Sequence, residues 1–164
     1  MSVKRLVKLS AIAAVYVVLT VALQPISFGQ VQFRLSEILV LLCFFRKDYI
    51  YSITVGCLIS NFFSPMPLDF IFGTLQTIVA VVLISVSKNM LIASLYPVIT
   101  MPIIALELYI ALNLPFWESV LWTMVGEFVV VVLVAYPVFS YLRKNQYFLE
   151  LIEANQNVEV YREF

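Results

Sequence analysis

Seven polar side chains stand inside or at the mouths of segments that are otherwise apolar: Arg34, Glu37, Asn61, Asp69, Gln76, Glu107 and Glu127. A carboxylate deep in an apolar helix costs several kcal/mol unless it is paired or neutralised, so such residues default to a functional reading. Glu127 and Glu107 are the hardest to account for otherwise. Carboxylates and amides accept hydrogen bonds and Arg34 donates them, so the chemistry on offer is charge-assisted recognition of a polar solute. Plainer roles exist for the others. Asp69 can cap a helix N-terminus, Glu37 can pair with Arg34 three residues away, and Gln76 and Asn61 can tie neighbouring helices together. Glu118 follows Phe116 and Trp117, two interface anchors, and belongs at the membrane surface.

Catalysis finds little support. The 164 residues contain no histidine, which removes Ser-His-Asp triads, Cys-His dyads and histidine metal sites together. There is no phosphate-binding glycine loop, no H-E-x-x-H and no G-x-S-x-G, so the chain does not hydrolyse ATP. Cys43 and Cys57 both fall in apolar segments and read as packing residues without a disulfide framework.

The elements that must position these groups are membrane helices. The chain is 63% hydrophobic and 12% charged, with a mean hydropathy of +1.01 and a net charge of zero. Soluble domains are nearer half apolar and a quarter charged, so an all-α, polytopic membrane protein is expected, with six helices in one domain over residues 1–144 and a polar tail over 145–164. The spans fall at about 3–23, 34–45, 49–63, 68–86, 90–112 and 116–142. The second and third are shorter than the usual span of about 20 residues, and Arg46-Lys47-Asp48 forbids fusing them. The first is expected to remain as an uncleaved helix, since no A-x-A site follows it.

Lys4, Arg5, Lys8, Arg46, Lys47, Lys88, Arg143 and Lys144 all fall on one side of this arrangement, and the opposite loops hold only Arg34. Both termini are therefore expected in the cytoplasm of a cell-membrane protein. The embedded polar residues then cluster in the outer half, with Glu127 about 16 Å down the sixth span at about 1.5 Å per residue. That asymmetry predicts a cavity open to the outside. Its cover is the loop Gln24–Phe33, rich in amides and broken by Pro25 and Gly29. Small residues repeat at helical spacing in two places. Ser52, Gly56 and Ser60 are expected to pack within the bundle, and Ser10, Ala11 and Ala14 offer a face on which a partner can dock.

At QVQFRLSEILVLL (30–42) the pattern becomes specific. With ISNFFSP (59–65), LDFIFGTLQT (68–77), LELYIALNLPFW (106–117) and VGEFVVV (125–131), the chain resembles the QueT family from about Lys4 to Lys144. These proteins look like substrate-binding S components of energy-coupling factor (ECF) transporters. The resemblance implies a six-helix bundle that binds a queuosine precursor, 7-aminomethyl-7-deazaguanine, outside the cell and topples in the membrane to release it inside. It implies a transmembrane T subunit and two ATPases as partners, with no cofactor on this chain and ATP used by those ATPases. The segment 90–112 departs from the family pattern in lacking an asparagine. A deazaguanine presents an amino group beside a ring N–H, which one carboxylate can accept, and its aminomethyl arm is cationic. Glu107, Glu127 and Glu37 can take these groups, Arg34 or an amide can donate to the ring carbonyl, and Phe28, Phe33 or Trp122 can stack on the ring. A membrane-embedded enzyme and a passive solute channel are the alternatives from other classes.

Overall fold

The computed structural model describes residues 2–28 and 31–157. Those residues form helices and connecting turns, with no strand among them. Helix α1 is Val3–Ala22, opened by the Ser2 hydroxyl, which accepts from the Arg5 N–H at 3.3 Å. A single turn, α2 (Gln24–Ser27), follows. Next comes α3 (Leu35–Phe45), then α4 (Tyr49–Asn61), α5 (Asp69–Val86), α6 (Met90–Leu112), α7 (Phe116–Leu142) and a short α8 (Gln146–Leu151). Helices α1, α5, α6 and α7 are each long and apolar enough to cross a membrane. Their outer faces leave large aliphatic side chains bare, for example Val86 and Ile99. Such a surface is a liability in water and the expected one in lipid, where only helices with internally satisfied backbones span.

The short second span has a physical explanation. Residues Val40–Phe45 are all buried and Leu35, Ile38 and Leu39 partly so, so α3 runs largely inside the bundle and has little lipid face to match. Seven of its residues, Leu35–Leu41, wind as a tighter 3-10 helix before the α-turn Leu42–Phe45. At about 2.0 and 1.5 Å per residue this covers about 20 Å, well short of a hydrocarbon core of about 30 Å. The two ends of the bundle are closed by other parts of the chain: α2 and its loop at one, α8 and residues 152–157 at the other.

Helices α1 and α4 approach closely because Gly56 carries no side chain. A Cβ there would stand 3.0 Å from the Ala13 carbonyl and from Tyr16 Cβ. The small face of α4 is thus a packing face inside the bundle. Helix α6 breaks at Thr100–Met101, between Pro97 and Pro102, where missing N–H groups interrupt the ladder. The freed Pro97 carbonyl is satisfied by Gln76 Nε2 at 3.3 Å and Thr100 Oγ1 at 2.9 Å. In α7 the stretch Phe128–Ala135 widens to a π-helix directly after Glu127. Long 3-10 runs and π-helical insertions are uncommon and gather at functional places. Here the two irregular stretches pack against each other, and each carries or adjoins a buried glutamate.

Candidate functional site

Arg34 is the hub. It stands at the mouth of α3, 3% exposed, where the chain has just turned through Gln32 at φ +47°. Its Nη2 lies 3.7 Å from Asp69 Oδ2, on the first turn of α5. The Phe28 ring lies beneath it, 5.2 Å from the guanidinium carbon, and Nη1 reaches Cys57 Sγ at 3.9 Å. One turn along α3, Glu37 accepts from the Tyr16 hydroxyl of α1. Cys57 Sγ sits 3.2 Å from Thr77 Oγ1 and accepts from Asn61 Nδ2 at 3.3 Å. Asn61 Nδ2 also donates to Thr74 Oγ1 at 3.3 Å. Gly73 makes the room: a Cβ there would come within 2.8 Å of Asn61 Nδ2 and 2.9 Å of Asp69 Oδ1.

Glu107 and Glu127, each 1% exposed, complete the cluster from α6 and α7. Glu107 is within electrostatic reach of Asp69 and Arg34, and Glu127 of Glu37 and Arg34. Arg34, Glu37, Asn61, Asp69, Glu107 and Glu127 are therefore brought together from five helices. Two plainer roles raised by the sequence are not the ones adopted. Arg34 forms its ion pair with Asp69 of another helix, while Glu37 turns to Tyr16. Asp69 is the first residue of α5, after the capping position of Leu68; its carboxylate caps no backbone N–H among the described residues, but it does stand in the first turn, at the positive end of the helix.

Other expected residues lie elsewhere. Gln76 is 1% exposed on the same face of α5, but its amide is spent on the α6 break: Nε2 also donates to Thr100 Oγ1 at 3.0 Å, and Oε1 accepts from Thr77 at 3.2 Å. Phe33 and Trp122 are 36% and 42% exposed and stand on the surface, so Phe28 is the aromatic ring the fold sets against the cluster. Of the expected cover loop, Ser27, Phe28 and Gln32 are buried; Gly29 and Gln30 lie outside the described residues. The loop's seat is Gly126, where a Cβ would stand 1.7 Å from the Val31 carbonyl. Sequence reasoning passed over Tyr16, Cys57 and Gly126. Tyr16 and Thr20 carried a signal: they are polar, one turn apart, in an otherwise aliphatic run, and Thr20 Oγ1 meets Ser36 Oγ at 2.6 Å.

The electrostatics are lopsided. Four carboxylates face one guanidinium. Glu37 Oε2, Glu127 Oε1 and Asn61 Oδ1 are buried at no hydrogen-bonding distance from a donor among the described residues, as is Nε of Arg34 from an acceptor; Asp69 and Glu107 face each other carboxyl to carboxyl, and the one cation near them is Arg34, whose Nη2 lies at ion-pair distance from Asp69. Leaving such groups unmet costs about 1–3 kcal/mol each, more when charged, and buried polar groups in folded proteins are normally satisfied. A site with this pattern is complementary to a molecule bearing several N–H donors and a carbonyl.

Fold and interior together define a polytopic helical membrane protein with a sequestered polar centre. Residues 6–144 match the sequence model of the family described as QueT transporter, and the chain belongs to that family. It is 47% identical over 76 residues to the Queuosine precursor transporter QueT of Lactococcus lactis subsp. cremoris (strain MG1363). That alignment spans 45% of this chain and 45% of the relative. No solved structure matches the chain.

Proposed function

We propose that this protein is the substrate-specificity (S) component of an ECF-type importer, and that it binds a queuosine precursor of the 7-aminomethyl-7-deazaguanine type. The surplus of unmet buried acceptors around Arg34 carries this reading. One carboxylate takes the amino group and ring N–H of the deazaguanine as a pair, and another takes the cationic aminomethyl arm. Glu107 and Glu127, each with at least one buried oxygen that meets no donor, are assigned those roles, with Glu37 held by Tyr16 as the third wall. Arg34 donates to the ring carbonyl through Nε, which neither Asp69 nor Cys57 engages, and Phe28 supplies the apolar face. Binding and release need no bond chemistry from this chain and no cofactor on it; ATP is used by the partner ATPases.

The basic end of the bundle, with Arg5, Lys8, Arg46 and Lys144, faces the cytoplasm in this reading, by the positive-inside bias. The solute then enters past the cover loop from outside, and toppling of the whole bundle carries it across. The transmembrane T subunit docks on α1. Ser10, Ala11 and Ala14 are exposed there, and Ser10 lines a groove of about 340 Å³ between α1 and α4 together with Leu6, Ala13 and Val55. Calorimetric titration of the purified chain with 7-aminomethyl-7-deazaguanine tests the ligand. Saturable, one-to-one binding is expected; absence of binding at millimolar ligand overturns the assignment.

A further inference from the structure

Residues 145–157 of the polar tail are docked on the bundle. After α8 the chain crosses the basic end of the bundle and binds the inner end of α3. The N–H groups of Asn155 and Gln156 both donate to the Phe45 carbonyl, at 3.1 and 3.0 Å, and Asn157 Nδ2 donates to the Phe44 carbonyl at 2.8 Å. These are the carbonyls that a helix C-terminus leaves without a partner, so the tail supplies α3 with a cap its own sequence lacks. Tyr49 Oη donates to the Ile152 carbonyl at 3.0 Å, and Ile152 itself is buried. The Phe148 ring meets Phe45 edge-on, 6.2 Å between centroids.

Charge holds the crossing in place. Glu153 pairs with Lys8 at 2.6 Å, Arg5 at 3.6 Å and Arg46 at 3.7 Å. Lys8 also donates to the Leu151 carbonyl at 3.2 Å and Arg46 to that of Glu153 at 2.9 Å. Glu153 adopts φ +52°, a left-handed conformation that a side chain accepts only when its surroundings compensate. The segment thus joins α1, α3 and α4 at one point, and α3 is the element that bears Arg34 and Glu37 at its other end.

We propose that residues 145–157 are a latch on the basic end that fixes α3, and through it Arg34 and Glu37, in the arrangement described, so that α3 moves only when the latch lifts. The inference rests on the transport reading for its purpose, since a bundle that topples as one body needs α3 held fast within it. Its test uses no solute, so the two fail separately.

The measurement is amide hydrogen exchange on the purified full-length chain, comparing the wild type with Glu153→Lys and Glu153→Gly. The lysine reverses the charge facing Arg5, Lys8 and Arg46. The glycine removes the charge while relieving the left-handed backbone, so loss of protection there reports the ion pairs alone. Asn155 and Gln156 are expected to exchange slowly in the wild type. In Glu153→Lys they should exchange at least about tenfold faster, the factor given by about 1.4 kcal/mol of lost local stability, and the amides of Leu35–Leu41 should speed up with them. Should Glu153→Lys not accumulate, Glu153→Gly is expected to show the same pair of changes to a smaller degree. Unprotected Asn155 and Gln156 in the wild type, or a freed tail that leaves Leu35–Leu41 unchanged, overturns the latch.

Discussion

The Val31 carbonyl occupies the space that a side chain at position 126 would need: a Cβ on Gly126 would lie 1.7 Å from that oxygen. The cover loop therefore lies backbone-to-backbone on α7, one residue before Glu127. No rotamer change can relieve such a contact, because the oxygen is main chain and a Cβ has its place fixed by the main chain.

Gly126→Ala is accordingly expected to lift the cover while leaving every polar group of the site in place. Overpacking of this kind costs about 1–3 kcal/mol. Charged to the closed state, that weakens solute binding by roughly ten- to a hundredfold, mostly through faster release. Stopped-flow dissociation of bound 7-aminomethyl-7-deazaguanine measures it. An unchanged release rate would mean that the cover plays no part in retention.

Tyr16→Phe probes the link between α1 and the site. The variant removes the hydroxyl that donates to Glu37 and leaves that buried carboxylate dependent on the neighbouring Thr77 hydroxyl. The expected loss is about 1–3 kcal/mol of stability, read as a lower Tm in detergent, with weaker solute binding beside it. A Tm equal to that of the wild type would place Glu37 in contact with another donor.

Much of this arrangement was legible in the sequence, and the failures are instructive. Apolar length and charge placement located the four long helices to within a residue or so, because span length is set by the bilayer and not by detail. The same rules pointed to Glu37, Asp69, Glu107 and Glu127, since a carboxylate in an apolar run has no cheap explanation. Residue type could not say which aromatic ring faces inward. Phe28, Phe33 and Trp122 are equivalent on composition, and the turn at Gln32 and the facing of α7 decide among them. Gln76 looked like a ligand contact because the Pro97–Pro102 break that consumes its amide lies on another helix. The tail was legible only as polar, because its docking is done in large part by backbone N–H groups of Asn155 and Gln156, which composition does not reveal.

The basic end carries a pH dependence of definite sign. Burial, the largest single influence, pushes the Asp48 carboxyl up, but the hydrogen bonds from Arg46 and Arg5 and their charges together outweigh it and hold it below its ordinary value. Glu153 is held low chiefly by its hydrogen bond from Lys8, with Lys8, Arg5 and Arg46 adding charge. A carboxyl depressed in the folded state contributes stability that is fully present above its unfolded pKa, about 3.9 for Asp and 4.3 for Glu. It is lost as pH falls through the lower folded value. Tail docking should thus be constant from about pH 5 to 8 and weaken only below about pH 4. Exchange of the Asn155 and Gln156 amides, corrected for the intrinsic pH dependence of exchange, follows it. Release of the tail on raising the pH from 5 to 8 would contradict the sign.

The central claim is that unmet carboxylate oxygens inside the bundle hold the solute's N–H donors. Calorimetric titration of 7-aminomethyl-7-deazaguanine into the purified wild type, Glu107→Gln, Glu127→Gln and the exposed control Glu118→Gln tests it most directly. Each buried substitution exchanges an acceptor oxygen for an amide donor and should cost about 1–3 kcal/mol, a roughly ten- to hundredfold rise in Kd, while Glu118→Gln binds like the wild type. Unchanged affinity in both Glu107→Gln and Glu127→Gln would contradict the account and place the solute elsewhere.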